Sequence, residues 1–206
     1  MPNTTNYSFP TPADTDLVKN GADAIRDLGD AVDTAMNTAL GTKKAGMVLL
    51  NTTSFSGVSS GSVNDVFSST YENYQIVATL VGTTVEAFNM RLRVSGADNS
   101  TNNYYFVGTD MNSSSASLTV RGGDPNTSWR VGTIGNDFMI LTINLGAPQT
   151  ANKTAFNSAS GAGNATNEGY GGTFSGFFSG TTSFTGFTIL GASNFSGTVR
   201  TYGVAN

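Results

Sequence analysis

The side chains that usually carry enzyme chemistry are scarce in this chain of 206 residues, which contains no histidine and no cysteine. Without histidine, neither a Ser-His-Asp triad nor an ordinary zinc site can be assembled. Without cysteine there is no thiol nucleophile and no disulfide. Carboxylates remain as candidates for acid–base work, among them Asp65, Glu72, Asp98, Asp110, Asp124, Asp137 and Glu168.

These carboxylates do not form a recognisable catalytic or metal-binding motif. A glycosidase needs two of them close together in a cleft. The aspartates before residue 40 lack the spacing of a calcium-binding EF-hand loop, and no glycine-rich phosphate loop joins a strand to a helix. We therefore expect a protein that is not an enzyme, with no catalytic residue, no cofactor and no metal ion.

Three aromatic residues are the best candidates for contact with a ligand. Tyr104, Tyr105 and Trp129 lie near predicted turns rich in polar residues. Aromatic faces beside polar groups suit stacking on a sugar ring. The alternative is that Trp129 and at least one of the two tyrosines are core residues.

The composition is that of a lightly charged protein with many small residues. Charged residues make up 12% of the chain, glycine accounts for 25 residues, and the net charge is −4. There is no basic patch, so we expect no nucleic acid partner. No apolar run is long enough to span a bilayer, so we expect no membrane insertion. The start of the chain also lacks the pattern of a signal peptide.

One amphipathic helix is predicted over residues 13–40. Pro10 and Pro12 keep residues 9–12 extended, and Thr11 is suited to cap the helix. Apolar or small residues then recur at alternating intervals of three and four, which predicts a coiled-coil seam. The members of this seam are Val18, Gly21, Ile25, Leu28, Val32, Ala35 and Ala39.

The seam requires a partner surface, because a helix of this length is marginal in water on its own. Packing against the rest of the same chain is one possibility. The polar linker at residues 41–46 favours a stalk formed by several copies instead. β-Branched residues and leucine at the seam positions favour dimers in isolation, so the pattern does not fix the number of copies.

From residue 47 onward, apolar and polar residues alternate with the period of a β-strand, interrupted by Gly, Asn, Asp and Ser. We predict a mainly β head over residues 47–206, built as a β-sandwich resembling a jelly roll. The predicted strands are 46–51, 64–68, 73–81, 88–94, 103–109, 117–121, 128–132, 137–145, 153–158, 173–179, 183–190 and 195–204.

The first twelve residues form a separate region, predicted to be an extended arm. Tyr7, Phe9 and Pro10 make it aromatic and proline-rich, which suits a peptide that docks on another protein. A disordered terminus that only precedes the helix is the alternative.

Two segments resemble known virion proteins. The run from Asn6 to Ala35, which begins Asn-Tyr-Ser-Phe-Pro-Thr-Pro, resembles the N-terminal attachment segment of bacteriophage tail-fibre and minor structural proteins. The segment from Gly46 to about Val107 is similar to the β head of phage and prophage structural proteins. The resemblance covers about half the chain and fades beyond Asp110.

The resemblance implies a homotrimeric tail fibre on the virion surface. Its arm would attach to another virion protein, its helix would be a trimeric coiled coil, and its head would bind a glycan or protein of the host surface. A head fibre or decoration protein attached to the capsid is the alternative. Some phage fibres also degrade polysaccharide, but those usually carry a long β-helix, for which this chain lacks the length and the repeat.

Overall fold

The computed structural model describes residues 4–5, 8–11, 17, 20–40 and 46–204, without the side chains of residues 39 and 40. Over these residues the protein is mainly β, as predicted, with one helix and eleven strands. The chain divides into two compact units, Met1–Ala45 and Gly46–Asn206. None of the described helical residues forms a segment long and apolar enough to cross a bilayer.

The first unit contains helix α1, which spans Gly21–Leu40. Leu17 is not helical, and the backbone N–H of Asn20 donates to the carbonyl of Leu17 at 2.8 Å. The predicted helix start at residue 13 lies outside the described residues, as do residues 18 and 19.

The described part of the arm turns back on itself, whereas an extended segment was predicted. The backbone N–H of Thr4 donates to the carbonyl of Phe9 at 2.9 Å, and the N–H of Phe9 donates to the Thr4 hydroxyl at 3.0 Å. The reversal is possible because Ser8 adopts a φ of 54°.

The second unit consists of antiparallel strands joined by turns and loops. Their bounds are β1 Met47–Val63, β2 Asn73–Gly82, β3 Glu86–Val94, β4 Ala97–Asp98, β5 Tyr104–Asn112, β6 Ser117–Asn126, β7 Trp129–Ile134, β8 Phe138–Gly146, β9 Ala155–Gly163, β10 Gly169–Phe178 and β11 Gly186–Val204.

Several predicted strand boundaries are wrong, and in two places the reason is that pairing overrides local signals. The last two predicted strands are one strand, β11, because β1 pairs with it along almost its whole length. The predicted strand at 64–68 is a loop instead. There the backbone N–H groups of Val66 and Phe67 both donate to the carbonyl of Thr185, while their side chains enter the core.

The sheet curls around the long pair of strands β1 and β11. One edge of β11 pairs with β1, while its other edge pairs first with β3 and then with β2. From β2 the sheet continues through β8, β9, β10 and β5 to β6. Register shifts between Phe55 and Ser60 mark the bend in β1, since irregular pairing of this kind bends strands.

Strand β7 completes the core from the opposite side. It pairs with β3, and its Trp129 ring stacks on the Phe156 ring of β9 with centroids 4.5 Å apart. The inner face of β8 is buried as its alternation predicted, with Met139, Leu141 and Ile143 fully inaccessible. The same holds for Phe88, Met90 and Leu92 on β3. Curling thus brings the inner faces of distant strands into one apolar core.

Candidate ligand-binding groove

An open groove lies at one end of the outward sheet face, where strands β5, β6, β9 and β10 meet. It encloses about 990 Å³. Its lining combines aromatic and small residues with one carboxylate, and the members that face solvent include Tyr105, Val107, Gly122, Asp124, Ser175 and Phe177. A wide, shallow and largely uncharged groove suits a flat ligand more than a deeply enclosed one.

The centre of the groove is a stacked pair of aromatic rings. Tyr105 on β5 and Phe177 on β10 are direct cross-strand partners, and their rings are parallel within 3° with centroids 5.1 Å apart. Phe177 keeps 39% of its surface exposed. The ammonium group of Lys153 lies 5.4 Å from the centre of the Phe177 ring, within reach of a cation–π interaction.

The groove needs glycine at one position of its floor. A Cβ atom added to Gly176 would fall on the carbonyl oxygen of Tyr105 and lie 2.9 Å from the Phe156 ring. The absence of a side chain there lets β5 and β10 approach, so that the Tyr105 and Phe177 rings can stack. Gly176 of β10 is therefore required for the close approach of the strands that forms the groove.

Two of the three aromatic residues predicted to contact a ligand lie beneath the groove. Tyr104 and Trp129 are both 0% exposed, because each sits on the inner face of its strand. They are therefore core residues, which was the alternative that the sequence left open, and their rings are not accessible for stacking on a sugar. Tyr105 alone of the three lines the groove, since alternation along β5 points it away from the core.

The buried pair nevertheless supports the groove. The indole N–H of Trp129 donates to the carbonyl oxygen of Phe177 at 3.2 Å, and the Tyr104 ring packs edge-on against the indole at 5.2 Å. The Tyr104 hydroxyl donates to the carbonyl of Asn99 at 2.7 Å and accepts from the N–H of Leu92. Burial raises the pKa of the Tyr104 hydroxyl above its usual range, so the group stays neutral.

The sequence did not single out Phe177 or Asp124 as ligand-binding residues, although both line the groove. The Phe177-Phe178 pair lay in the predicted strand at 173–179. Alternation along the strand divides the pair, with Phe178 in the core and Phe177 outside. The period-two pattern contained this signal, but only the register with β5 places Phe177 against Tyr105.

The predicted oligomerisation residues lie on α1 with their apolar side chains partly or largely accessible. Ile25 is 70% exposed, and Leu28, Val32 and Ala35 are partly exposed. Val18 lies outside the described residues. An exposed apolar stripe on a helix leaves the predicted seam available for a partner.

The predicted docking residues can be placed only in part. Phe9 and Pro10 are partly buried, whereas Tyr7 lies outside the described residues. The turn closed by Thr4 and Phe9 gives this part of the arm a defined shape.

A second cluster of polar groups lies on the inner side of β5 and β6. Arg121 and Arg130 both bind one carboxylate oxygen of Asp110, at 2.9 and 2.8 Å, and the Thr133 hydroxyl donates to the other at 2.9 Å. Burial lowers the pKa of Arg130, an effect that the Asp110 charge opposes. With Asp110 holding both arginines, the cluster is a structural ion-pair network that ties β7 to the β5–β6 hairpin.

Comparisons of this chain with protein-family models, with curated proteins and with solved structures gave no match.

Proposed function

We propose that this protein is a non-enzymatic structural protein of a bacteriophage virion, a homotrimeric tail fibre. Its N-terminus would attach to another virion protein, and its β head would bind the host surface. The proposal rests on the resemblance of the N-terminal segment, to which the structure adds an exposed apolar stripe on α1 and a β head with an open aromatic groove.

In this proposal the stripe of Ile25, Leu28, Val32 and Ala35 forms a trimeric coiled coil. The head is a β-sandwich, in which β7, β3 and the first part of β11 lie over the remaining strands. The contacts of Trp129 with Phe156 and with the Phe177 carbonyl support this arrangement, because they join β7 to β9 and β10 across the core.

The observation that carries the host-binding role is the stacked pair of Tyr105 and Phe177. The stacked rings give the groove an apolar aromatic wall, and the Asp124 carboxylate and Ser175 hydroxyl, which also line the groove, can bond to the hydroxyl groups of a sugar. We therefore propose a surface glycan as the ligand of the groove.

The test is binding of the labelled full-length protein to host cells and to their purified surface polysaccharide. We expect Phe177→Ala and Tyr105→Ala each to weaken binding about tenfold, because loss of an aromatic contact costs roughly 1–2 kcal/mol. Phe138→Ala is the matched control, since Phe138 is an exposed aromatic residue that does not line the groove. Unchanged binding by both groove variants would refute the groove as the receptor site.

Immunogold electron microscopy of intact particles with antibodies against the head tests the location. Label at the tail tip is the expected result. Label over the capsid would instead identify a head fibre or decoration protein, and shell stability would then be the activity to measure.

A further inference from the structure

Three adjacent rows of residues contain no charged side chain on the outward face of the sheet. Each row consists of residues that pair with one another across adjacent strands among β2, β8, β9, β10, β5 and β6. The first row runs from Thr79 through Ile140 to Leu118. The second runs from Val77 through Thr142, Ala159, Thr173 and Thr109 to Val120. The third runs from Gln75 through Asn144 to Asn157 and ends there, because the next residue across the strands, Ser175, lines the groove. We call these three rows the uncharged face; beyond β2, the second row reaches Arg200 on β11.

Large apolar side chains on this face are open to solvent. Ile140 is 56% exposed, Leu118 64% and Val120 71%. Between them lie small residues such as Ala159 and Gly161, and a Cβ atom on Gly161 would meet nothing within 4 Å. The face is therefore a broad surface of small side chains, bordered by larger apolar ones.

The polar groups of the uncharged face largely bond to one another. The side-chain amide of Gln75 donates to the Asn144 side chain at 2.9 Å, and that of Asn144 donates to the Asn157 side chain at 2.9 Å. The hydroxyls of Thr109 and Thr173 lie 3.3 Å apart. Because these groups already have partners within the sheet, covering them would leave few hydrogen bonds unmade.

The outward surface near β3 is different. Arg91 and Arg93 both point away from the core there and approach the carboxylate of Asp98. Charged side chains on an exposed sheet surface keep it in water and discourage association. Their absence from the uncharged face is thus a property of that face and not of the whole head.

We propose that the uncharged face is a contact surface between the heads of copies of this chain. With six residues in each of the first two rows and three in the third, each covering about 4.8 Å by 6.8 Å of one sheet face, the area is roughly 500 Å² per copy, or about 1,000 Å² for a pair, which is the size of a weak interface. Each chain carries a net charge of −4, so copies of the chain repel one another. A contact surface without charged groups adds no further repulsion at the interface.

The occupant is a second copy because the proposed homotrimer already brings copies of the chain together through α1. The apolar stripe of α1, with Ile25 70% exposed, is the surface proposed for that contact. Two weak contacts between the same chains reinforce each other, since the first raises the effective concentration for the second. This proposal extends the proposed homotrimer, but the contact itself is measured on purified protein and does not depend on the virion role.

The test introduces a charge at the centre of the face in the full-length protein. We expect Ala159→Lys and Thr173→Lys each to raise the dissociation constant of the oligomer at least tenfold in sedimentation experiments over a range of concentrations. The matched control is Ser60→Lys, which places the same charge at an exposed position of β1 outside the face and should leave the constant unchanged.

Circular dichroism and thermal melting establish that the variants are folded. Should either central variant fail to fold, Val120→Lys carries the test, because this side chain is 71% exposed on the edge strand β6. Folded variants with an unaltered dissociation constant would overturn the proposal. If the protein associates through this face but is absent from particles, the virion role is refuted while the proposed contact between heads is supported.

Discussion

The indole N–H of Trp129 donates a hydrogen bond to the carbonyl oxygen of Phe177 at 3.2 Å, which links the buried aromatic core to the exposed groove. Trp129 lies on β7 and Phe177 on β10, so the bond crosses the interior of the curled sheet. A core residue thereby holds the backbone of a residue whose ring lines the groove.

Replacing Trp129 with Phe removes this hydrogen bond and part of the buried volume. We expect a loss of about 2 kcal/mol in the free energy of unfolding, measured with urea, together with weaker binding to host cells. Tyr104→Phe is the control, since it removes a buried hydroxyl that bonds to Asn99 and not to Phe177. It should lower stability by about 1 kcal/mol and leave binding unchanged. Equal loss of binding in both variants would show a general effect of instability.

Replacing both Ile25 and Leu28 with Asp should dissociate the oligomer. Each substitution would place a carboxylate in the proposed seam, where burying an unpaired charge is strongly unfavourable. We expect the mass from light scattering at micromolar concentration to fall to that of one chain. Thr34→Asp with Asn37→Asp adds the same charges at exposed positions of α1 outside the stripe and should preserve the mass. An unchanged mass of the seam variant would mean that the heads alone hold the assembly.

Removal of residues 1–11 should abolish attachment to particles without changing the mass of the oligomer. The proposed docking residues Tyr7, Phe9 and Pro10 are lost, while α1 and the head are kept. Incorporation is measured by complementing a phage that lacks the gene with the truncated protein and probing purified particles. Normal incorporation would eliminate the arm as the docking element.

Replacing Thr201 with Val should raise the free energy of unfolding by about 1 kcal/mol. The Thr201 side chain is 0% exposed and its hydroxyl has no hydrogen-bond partner, so an apolar group of similar size relieves an unmade bond. The matched comparison is Thr188→Val. Thr188 is equally buried, but its hydroxyl donates to Asp98 at 2.5 Å and accepts from Arg93 at 2.7 Å. Urea denaturation should therefore show opposite changes in the two variants.

Acid should loosen the turn between β9 and β10. Hydrogen bonds from Tyr170 and Asn164 lower the pKa of Glu168 below its ordinary value of 4.5. The folded state thus gains stability from this carboxylate above pH 4.5, and loses it as the pH falls through the lowered pKa. Hydrogen exchange of the Thr166 and Glu168 amides, corrected for intrinsic rates, should accelerate in that acidic range. Glu168→Gln should remove this dependence on pH; if it persists, another group is responsible.

The sequence by itself determined the mainly β character of the head and the inward faces of several strands. Period-two alternation predicted the buried residues of β3 and β8, because burial on one side of a pleated strand repeats every second residue. The apolar stripe of α1 followed from spacing in the same way. These features depend on neighbours along the chain, so the sequence pattern is sufficient to show them.

Only the tertiary structure decided which aromatic residues lie in the groove. Tyr104 and Tyr105 are adjacent and equally aromatic, yet one is buried and the other lines the groove. Tyr105 meets Phe177, and Trp129 meets the Phe177 carbonyl, through the register and the curl of the sheet. Those contacts join residues far apart in the chain, and pairing between distant strands is set by the packing of the whole core. Local sequence therefore could not specify them.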